Sequence, residues 1–200
     1  MSENKQDISN LKPEDIVYRQ YENESDLEIM IKMIDAELSE PYSIYTYRYF
    51  VINWPQLTWL AYHNDQMVGV VIGKLEIHKN TKRNRGYVAM IVVNKQYRGL
   101  KIGKKLTQIF IDKIIELGGE EIVLETESVN SGALALYKSC GFAKVKRLLN
   151  YYQNGNDAFR LKLWISNKQE QEQEQEQGEE QKEEQEQNQQ QNQNESKENQ

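Results

Sequence analysis

Residues 86–106, GYVAMIVVNKQYRGLKIGKKL, place an apolar run, a glycine-bearing loop and an amphipathic segment in direct succession. The nearly continuous apolar run 86–93 is typical of a strand buried on both faces. The segment after the loop predicts a helix, because its apolar residues recur at helical spacing: Ile102, Leu106, Ile109, Phe110 and Leu117. Gly118 and Gly119 predict the end of this helix, since glycine readily takes the left-handed conformation that closes helices.

The residues before this stretch predict a strand, two helices and two strands. A β-like run occupies 16–19, and Ser25 then caps a helix in which Glu28 completes a capping box. We expect Pro41 to stop that helix, because the residue before a proline is pushed out of the α region. A shorter second helix followed by a loop is predicted within 42–56. Two strands within 58–77 are joined at the turn-forming pair Asn64-Asp65.

The residues after it predict a strand at 121–126, a short helix at 131–140 and two strands at 143–152 and 158–165. Asn154-Gly155 is a strong hairpin signal between the last two strands. The predicted order is therefore β-α-α-β-β-β-α-β-α-β-β. Two strand–helix–strand crossovers with a closing hairpin indicate a mixed α/β sheet.

Composition divides the 200-residue chain at Asn167. Residues 167–200 contain eleven Glu, thirteen Gln and no hydrophobic residue, with a net charge of −8, whereas residues 1–166 carry +2. We therefore predict a flexible N-terminus at 1–14, one folded domain at 15–166 and a disordered Gln/Glu/Asn-rich tail at 167–200. The nearly neutral domain argues against direct DNA binding by massed positive charge.

The compartment is predicted from what the sequence does not contain. The first residues lack a signal-peptide pattern, and no apolar run approaches the length of a membrane span. The single cysteine, Cys140, excludes an intramolecular disulfide. We expect a cytoplasmic protein without a membrane anchor, with the nucleus as the alternative location.

The loop before the predicted helix is a candidate anion site. Its free amide groups and the positive end of the helix dipole would face a phosphate or pyrophosphate. Arg98, Lys101, Lys104 and Lys105 add positive charge around the same turn. The alternative is a solvated basic helix start, because the spacing matches neither a P-loop nor a dinucleotide-binding glycine motif.

The segment Arg98–Gly103, RGLKIG, resembles the acetyl-CoA loop of the GNAT acetyltransferase superfamily. Lys101 stands where the first glycine of that motif is usual, although lysine disfavours positive φ. Across roughly 15–165, five further segments resemble the catalytic subunits of NatC N-terminal acetyltransferases: LSEPYSIYTYRYF (38–50), RGYVAMIVV (85–93), IVLETE (122–127), SGALALYKSCGF (131–142) and NYYQNGNDAFRLKLW (150–164). The resemblance implies a single α/β GNAT domain with a mixed, mostly antiparallel sheet flanked by helices.

The resemblance also implies residues that hold acetyl-CoA as co-substrate. The backbone of Met90, Ile91, Val92 and Val93 would pair with the pantetheine arm and polarise the thioester carbonyl. The pyrophosphate would lie against the loop and the helix start: Arg98, Gly99, Leu100, Lys101, Ile102, Gly103 and Lys104. Asn130 would hydrogen-bond the pantetheine, unless it only caps the following helix.

Two residues are implied to carry the chemistry. Glu125 would remove the proton of the acceptor α-ammonium, whose reference pKa of about 8 requires only a modest base. Tyr137 would protonate the departing CoA thiolate. The alternatives are a strand-end carboxylate facing solvent for Glu125 and simple core packing for Tyr137.

Acceptor binding is expected from two loops on either side of the cleft. The first contains Leu38, Glu40, Pro41 and Tyr42, and the second contains Tyr151 and Tyr152. The alternative for these aromatic residues is a packed surface cluster. His63, His78 and Cys140 do not form a ligand set, so no metal site is predicted.

The resemblance implies partners as well as an activity. NatC-type enzymes acetylate nascent protein N-termini, mostly Met followed by a hydrophobic residue, on ribosomes and together with a large auxiliary and a small Sm-like subunit. Two other functions stay open from the sequence. The chain could acetylate lysine side chains or a small amine, or it could be a non-catalytic acyl-CoA-binding subunit.

Overall fold

The computed structural model describes residues 11–38 and 42–165, and the predicted tail 167–200 lies outside them. Strands of the described residues form one sheet: β1 (Val17–Gln20), β2 (Thr58–His63), β3 (Gln66–Ile77), β4 (Asn84–Val93), β5 (Glu121–Glu127), β6 (Ala143–Leu148) and β7 (Ala158–Trp164). Their helices are α1 (Glu24–Glu37), α2 (Ile44–Asn53), α3 (Ile102–Glu116) and α4 (Ser131–Ser139). Short 3₁₀ turns occupy Pro13–Asp15, Pro55–Leu57 and Lys95–Tyr97. The predicted order of strands and helices is confirmed.

The sheet has the strand order β1-β2-β3-β4-β5-β7-β6. Among the strands that the structure describes, only β4 and β5 pair in parallel, and every other neighbouring pair is antiparallel. The α3 crossover makes the parallel pair possible, because parallel strands cannot be joined by a short hairpin. The predicted mixed, mostly antiparallel sheet is therefore confirmed.

Two apolar clusters lie on opposite faces of the sheet. Helix α3 covers one face with Leu106, Phe110 and Ile114, all inaccessible to solvent. Helices α1 and α2 cover part of the other face with buried residues such as Met30 and Tyr47. No helix among the described residues is long and apolar enough to cross a membrane.

Strand β4 differs from its prediction, because it is not buried on both faces. Its residues alternate between buried and partly exposed positions. The register with β3 shifts between the pairs Gly73↔Val88 and Ile72↔Met90, so Ala89 is an extra residue that forms a β-bulge. As a consequence, Val88 belongs to the cluster under α3, whereas Met90 belongs to the cluster under α1 and α2.

Strands β4 and β5 pair over only three positions, from Arg85↔Glu121 to Tyr87↔Val123. Beyond Tyr87, no strand of the described residues pairs with the β4 edge that faces β5. The partly exposed β4 residues Ala89, Ile91 and Val93 line the opening that results. This divergence explains why the both-face prediction was wrong.

The N-terminus of α1 also corrects a prediction. The N-cap is Asn23, whose side-chain oxygen accepts a hydrogen bond from the Ser25 amide at 3.0 Å. Ser25 is already helical, so the predicted cap at Ser25 and its capping box with Glu28 are wrong. The helix ends at Glu37, with Leu38 as an extended C-cap, and Pro41 lies outside the described residues.

The C-terminus of α3 agrees with its prediction. Gly118 takes a φ of 75°, and the Gly119 amide donates to the Ile114 carbonyl at 2.8 Å. These are features of a glycine-closed helix end.

The closing hairpin is longer than its sequence indicated. Strand β6 ends at Leu148, so residues 149–157 form the connection, and Tyr151 and Tyr152 lie in it rather than in the strand. The Asp157 carboxylate accepts hydrogen bonds from the Asn150 amide at 2.9 Å and the Arg147 guanidinium at 2.8 Å. These bonds hold the two ends of the connection together, a role that the local turn pattern did not reveal.

Candidate active site

Two adjoining cavities occupy the opening between β4 and β5. The first, the β5 cavity, has about 330 Å³ and is lined by Leu124–Glu127 together with residues of α1, β4 and α4. The second, the loop cavity, has about 580 Å³ and is lined by residues of 91–104 and of α4. Six residues line both cavities and so mark their junction: Glu37, Leu38, Ile91, Asn130, Ala133 and Tyr137. Ligands in the two cavities would therefore meet.

The loop cavity has the features of an anion site. Its wall contains the first residues of α3, whose leading amide groups have no partner within the helix. Arg98, Lys101 and Lys104 bring positive charge to the same wall. A methyl group on Gly103 would come within 3.3 Å of Leu136, so glycine keeps α3 and α4 close at this point.

Lys101 takes a left-handed conformation that glycine adopts more readily. It is the N-cap of α3 and has φ 60° and ψ 14°, while Gly99 has a φ of 91°. A left-handed lysine costs about 1 kcal/mol relative to a relaxed residue. The loop therefore keeps a glycine-like path although its side chain differs from the usual motif.

The predicted cofactor residues do not all line the loop cavity. Ile91, Val92 and Val93 do, whereas Met90 lines the β5 cavity. Leu100 packs against the core and lines a separate cavity with Lys101, Lys104 and Lys105. This position does not favour direct contact between the Leu100 side chain and a ligand in the loop cavity.

Glu125 lies in the β5 cavity, with a side chain only 6% exposed. One carboxylate oxygen accepts from the Tyr87 hydroxyl at 3.0 Å, and the other accepts from the Arg160 Nε at 2.6 Å. Burial raises the pKa of Tyr87, and the neighbouring Glu125 charge raises it further. Glu125 is therefore not a strand-end carboxylate that faces solvent. Its catalytic role stays a prediction.

Tyr137 lies on α4 and lines both cavities. Its ring is 4% exposed and packs edge-on against Phe142, with centroids 5.8 Å apart. Burial raises the pKa of its hydroxyl above the ordinary tyrosine value. The ring therefore packs in the core while the residue also borders the site, so its two interpretations are compatible.

Asn130 caps α4, because its side-chain oxygen accepts from the Ala133 amide at 3.0 Å. The helix cap itself is therefore present, and it leaves the predicted role in cofactor binding open. Asn130 also lines both cavities, so its amide group remains available for a ligand. Its contact with pantetheine stays a prediction.

Aromatic and apolar side chains form part of the wall of the β5 cavity. Leu38, Tyr42 and Tyr152 line it, whereas Tyr151 is half-exposed and packs edge-on against Tyr152 at 5.2 Å. The predicted acceptor residues Glu40 and Pro41 lie outside the described residues.

Four residues of the site were missed by sequence reasoning. Tyr87 and Arg160 hold the Glu125 carboxylate, and Glu37 lies where the two cavities meet. Glu127 lines the β5 cavity and accepts from the Asn154 amide at 2.9 Å. Within residues 11–38 and 42–165, no cation pairs with Glu127. Tyr87, Glu127 and Arg160 lie in segments that resemble the known family, but none of the three was given a role from that resemblance.

The other polar candidates line neither the β5 cavity nor the loop cavity. His63 contacts the Tyr97 hydroxyl at 3.3 Å, and His78 contacts the Thr81 hydroxyl at 3.0 Å. Cys140 is partly buried, which raises the pKa of its thiol. The part of the chain that the structure describes contains no group of three potential metal ligands.

Comparison with known proteins agrees with this architecture. A model of the acetyltransferase (GNAT) family matches residues 27–142. The N-alpha-acetyltransferase MAK3 of Arabidopsis thaliana is 51% identical over 149 residues, which are 74% of this chain and 77% of that protein. The human N-alpha-acetyltransferase 30 is 49% identical over 150 residues, which are 75% of this chain but only 41% of the relative.

A solved structure is similar over the same region. A chain in a crystal structure of the NatC complex bound to Gag peptide and CoA is 46% identical, with a TM-score of 0.73. The match covers 76% of this chain and 99% of that one. The family match, the identities and the shared fold together place the chain in the GNAT family of acetyltransferases, among the N-alpha-acetyltransferases.

Proposed function

We propose that this chain transfers the acetyl group of acetyl-CoA to the free α-amine of protein N-termini, as the catalytic subunit of a NatC-like complex. One observation carries the proposal: a cationic loop cavity and a β5 cavity that contains the nearly inaccessible Glu125 carboxylate adjoin at Ile91 and Tyr137. An acyl donor in the first and an amine in the second would meet at that point. The reaction is a direct transfer, without an acyl-enzyme.

The residues of the loop cavity fit acetyl-CoA. The free amides at the start of α3, with Arg98, Lys101 and Lys104, would hold its pyrophosphate. The unpaired β4 edge would hydrogen-bond the pantetheine and polarise the thioester carbonyl. The bound thioester supplies an activated acetyl group, and the remaining steps depend on the chain's own side chains.

Glu125 acts on the acceptor. Its two hydrogen bonds fix the carboxylate, and each oxygen keeps a further lone pair for a substrate proton or a bridging water. Once the α-ammonium has lost one proton to Glu125, the neutral amine attacks the thioester carbonyl. The C–S bond breaks, and the nitrogen gives its second proton to water to leave the amide. Tyr137, a phenol that is protonated at neutral pH with an ordinary pKa of about 10, donates a proton to the departing thiolate and regains one from solvent.

The walls of the β5 cavity support a hydrophobic N-terminus as substrate. Leu38, Tyr42, Met90 and Tyr152 offer apolar surface to the first side chains of a peptide. We therefore propose a preference for Met followed by a hydrophobic residue. The related NatC complex was crystallised with Gag peptide and CoA, which supports a peptide acceptor.

The partners are proposed from the same relative. A large auxiliary subunit and a small Sm-like subunit would accompany this chain at the ribosome, where nascent N-termini emerge. The surface of α2 is suited to such a contact, because Tyr45, Tyr49 and Ile52 are exposed at helical spacing. This role implies a cytoplasmic location, with a nuclear pool as the alternative.

The test is acetyl transfer from labelled acetyl-CoA to three peptides, with auxiliary subunits added. The peptides begin with Met-Leu, with N-terminally blocked Met-Leu, or with Met-Glu, and each contains an internal lysine. We expect transfer to the free Met-Leu peptide alone. Equal transfer to the blocked peptide would assign the chain to lysine acetylation. Binding of acetyl-CoA without any transfer would assign it to the non-catalytic acyl-CoA-binding proteins.

A further inference from the structure

The Glu37 carboxylate connects the end of α1 to the segment that leads into the cofactor loop, residues 98–103. One of its oxygens accepts from the Lys95 amide at 3.1 Å. The other pairs with an Arg98 guanidinium nitrogen, also at 3.1 Å. Lys95 and Arg98 lie at either end of the 3₁₀ turn between β4 and the cofactor loop. Glu37 therefore holds this turn at two points.

The local structure gives no reason for a glutamate at this position. A negative charge in the last turn of a helix is unfavourable, because the carboxyl end of the helix dipole is also negative. The last turn of α1 contains no basic residue that would offset it. The Glu37 side chain is nevertheless only 10% exposed. Its contacts to Lys95 and Arg98 are what stabilise it there.

Both ends of this connection border the ligand cavities. Leu38, the residue after Glu37, is the C-cap of α1 and lines both cavities. Arg98 lines the loop cavity, and Glu37 accepts from only one of its N–H groups. The remaining donors of the guanidinium are available for a phosphate. Arg98 can thus bind a phosphate without releasing Glu37.

We infer that Glu37 is a positioning residue that makes acetyl-CoA and the acceptor peptide bind cooperatively. A pyrophosphate held by Arg98 fixes the Arg98–Glu37 pair, and this pair fixes the end of α1 with Leu38 in the β5 cavity. Each ligand therefore favours the arrangement that binds the other. The inference rests on the proposed function, and it gives Glu37 a positioning role through Arg98 and Leu38 rather than a proton-transfer role.

The experiment measures the affinity of a Met-Leu peptide by calorimetry with and without saturating CoA, which carries no acetyl group and leaves the ternary complex unreacted. In the wild type, we expect CoA to tighten peptide binding at least about fivefold. In Glu37→Gln, which keeps an acceptor for Lys95 but loses the charge facing Arg98, we expect less than about twofold. Glu37→Asp, which keeps the charge on a shorter side chain, should restore part of the effect.

The matched control is Glu116→Gln, which removes an ion pair with Lys113 on the surface of α3. It should keep the wild-type enhancement. In steady-state kinetics, Glu37→Gln should raise the KM for the peptide and leave kcat unchanged. A purely structural role would instead lower the melting temperature and kcat together.

Three results would overturn the inference: no enhancement in the wild type, full enhancement in Glu37→Gln, or a loss of CoA affinity that accounts for the whole effect of the variant. Hydrogen exchange of the wild type provides a test that needs no variant, since CoA should slow exchange at residues 33–38. Failure of the proposed function has a different signature, because CoA or the peptide would then not bind at all.

Discussion

Replacing Glu125 by Gln tests the chemistry of the site most sharply. The change keeps the size of a side chain that is 6% exposed, and it removes the charge that Tyr87 and Arg160 hold in place. A positioned base contributes about 10²- to 10⁴-fold to a rate. The acceptor α-amine has a reference pKa of about 8, so about a tenth of it is already neutral at pH 7. We therefore expect the low end of that range, about 10²-fold in kcat/KM or about 2.7 kcal/mol.

The assay follows initial rates on a Met-Leu peptide at pH 7 and pH 9. At pH 9 the amine is mostly neutral without help, so the loss in Glu125→Gln should shrink to less than about tenfold. Glu127→Gln, two residues along β5, serves as the comparison and should raise the peptide KM with little change in kcat. An equal loss at both pH values, with unchanged CoA affinity, would refute the role of Glu125 as a base.

Three further outcomes are expected. Tyr137→Phe should lower kcat about 10- to 100-fold at an unchanged melting temperature, because only the buried hydroxyl is lost. Lys101→Gly should raise the melting temperature by about 2–4 °C, since glycine relieves the left-handed backbone at a gain of up to about 1 kcal/mol, and it should raise the KM for acetyl-CoA. Asp26→Asn should destabilise the fold by about 1.5–2 kcal/mol in urea unfolding at pH 7, because the partly exposed Arg19 loses the carboxylate that accepts two of its hydrogen bonds. The Arg19 hydrogen bonds lower the pKa of Asp26, so this difference should disappear as the pH falls through that lowered pKa, where the wild type loses the same charge.

The sequence predicted those parts of the fold that depend on local pattern. The turn at Asn64, the glycine-closed end of α3 and the order of strands and helices needed only apolar periodicity and turn residues. The predicted N-cap of α1 was wrong because Asn23 and Ser25 both have capping side chains, and local sequence does not decide between them. The prediction that β4 is buried on both faces was wrong because the bulge at Ala89 and the divergence of β5 depend on tertiary packing.

The site shows the same division. Glu125, Tyr137 and the cofactor loop were found through segments that resemble a known family. The contacts that hold these groups in place were not predicted, because they join distant parts of the chain. Tyr87 lies 38 residues before Glu125, and Glu37 lies 61 residues before Arg98. No pattern in a single sequence reports such pairs.

The central claim is that the loop cavity and the β5 cavity form one continuous site for donor and acceptor. The most direct measurement is the affinity of a bisubstrate compound, in which CoA is joined through an acetyl group to the α-amine of a Met-Leu peptide. We predict that it binds at least about 10²-fold more tightly than CoA or the peptide alone. Once one half of the compound is bound, the other half is held at a high effective concentration next to its own cavity. Binding no tighter than that of CoA would contradict the account, since the two cavities could not then be filled together.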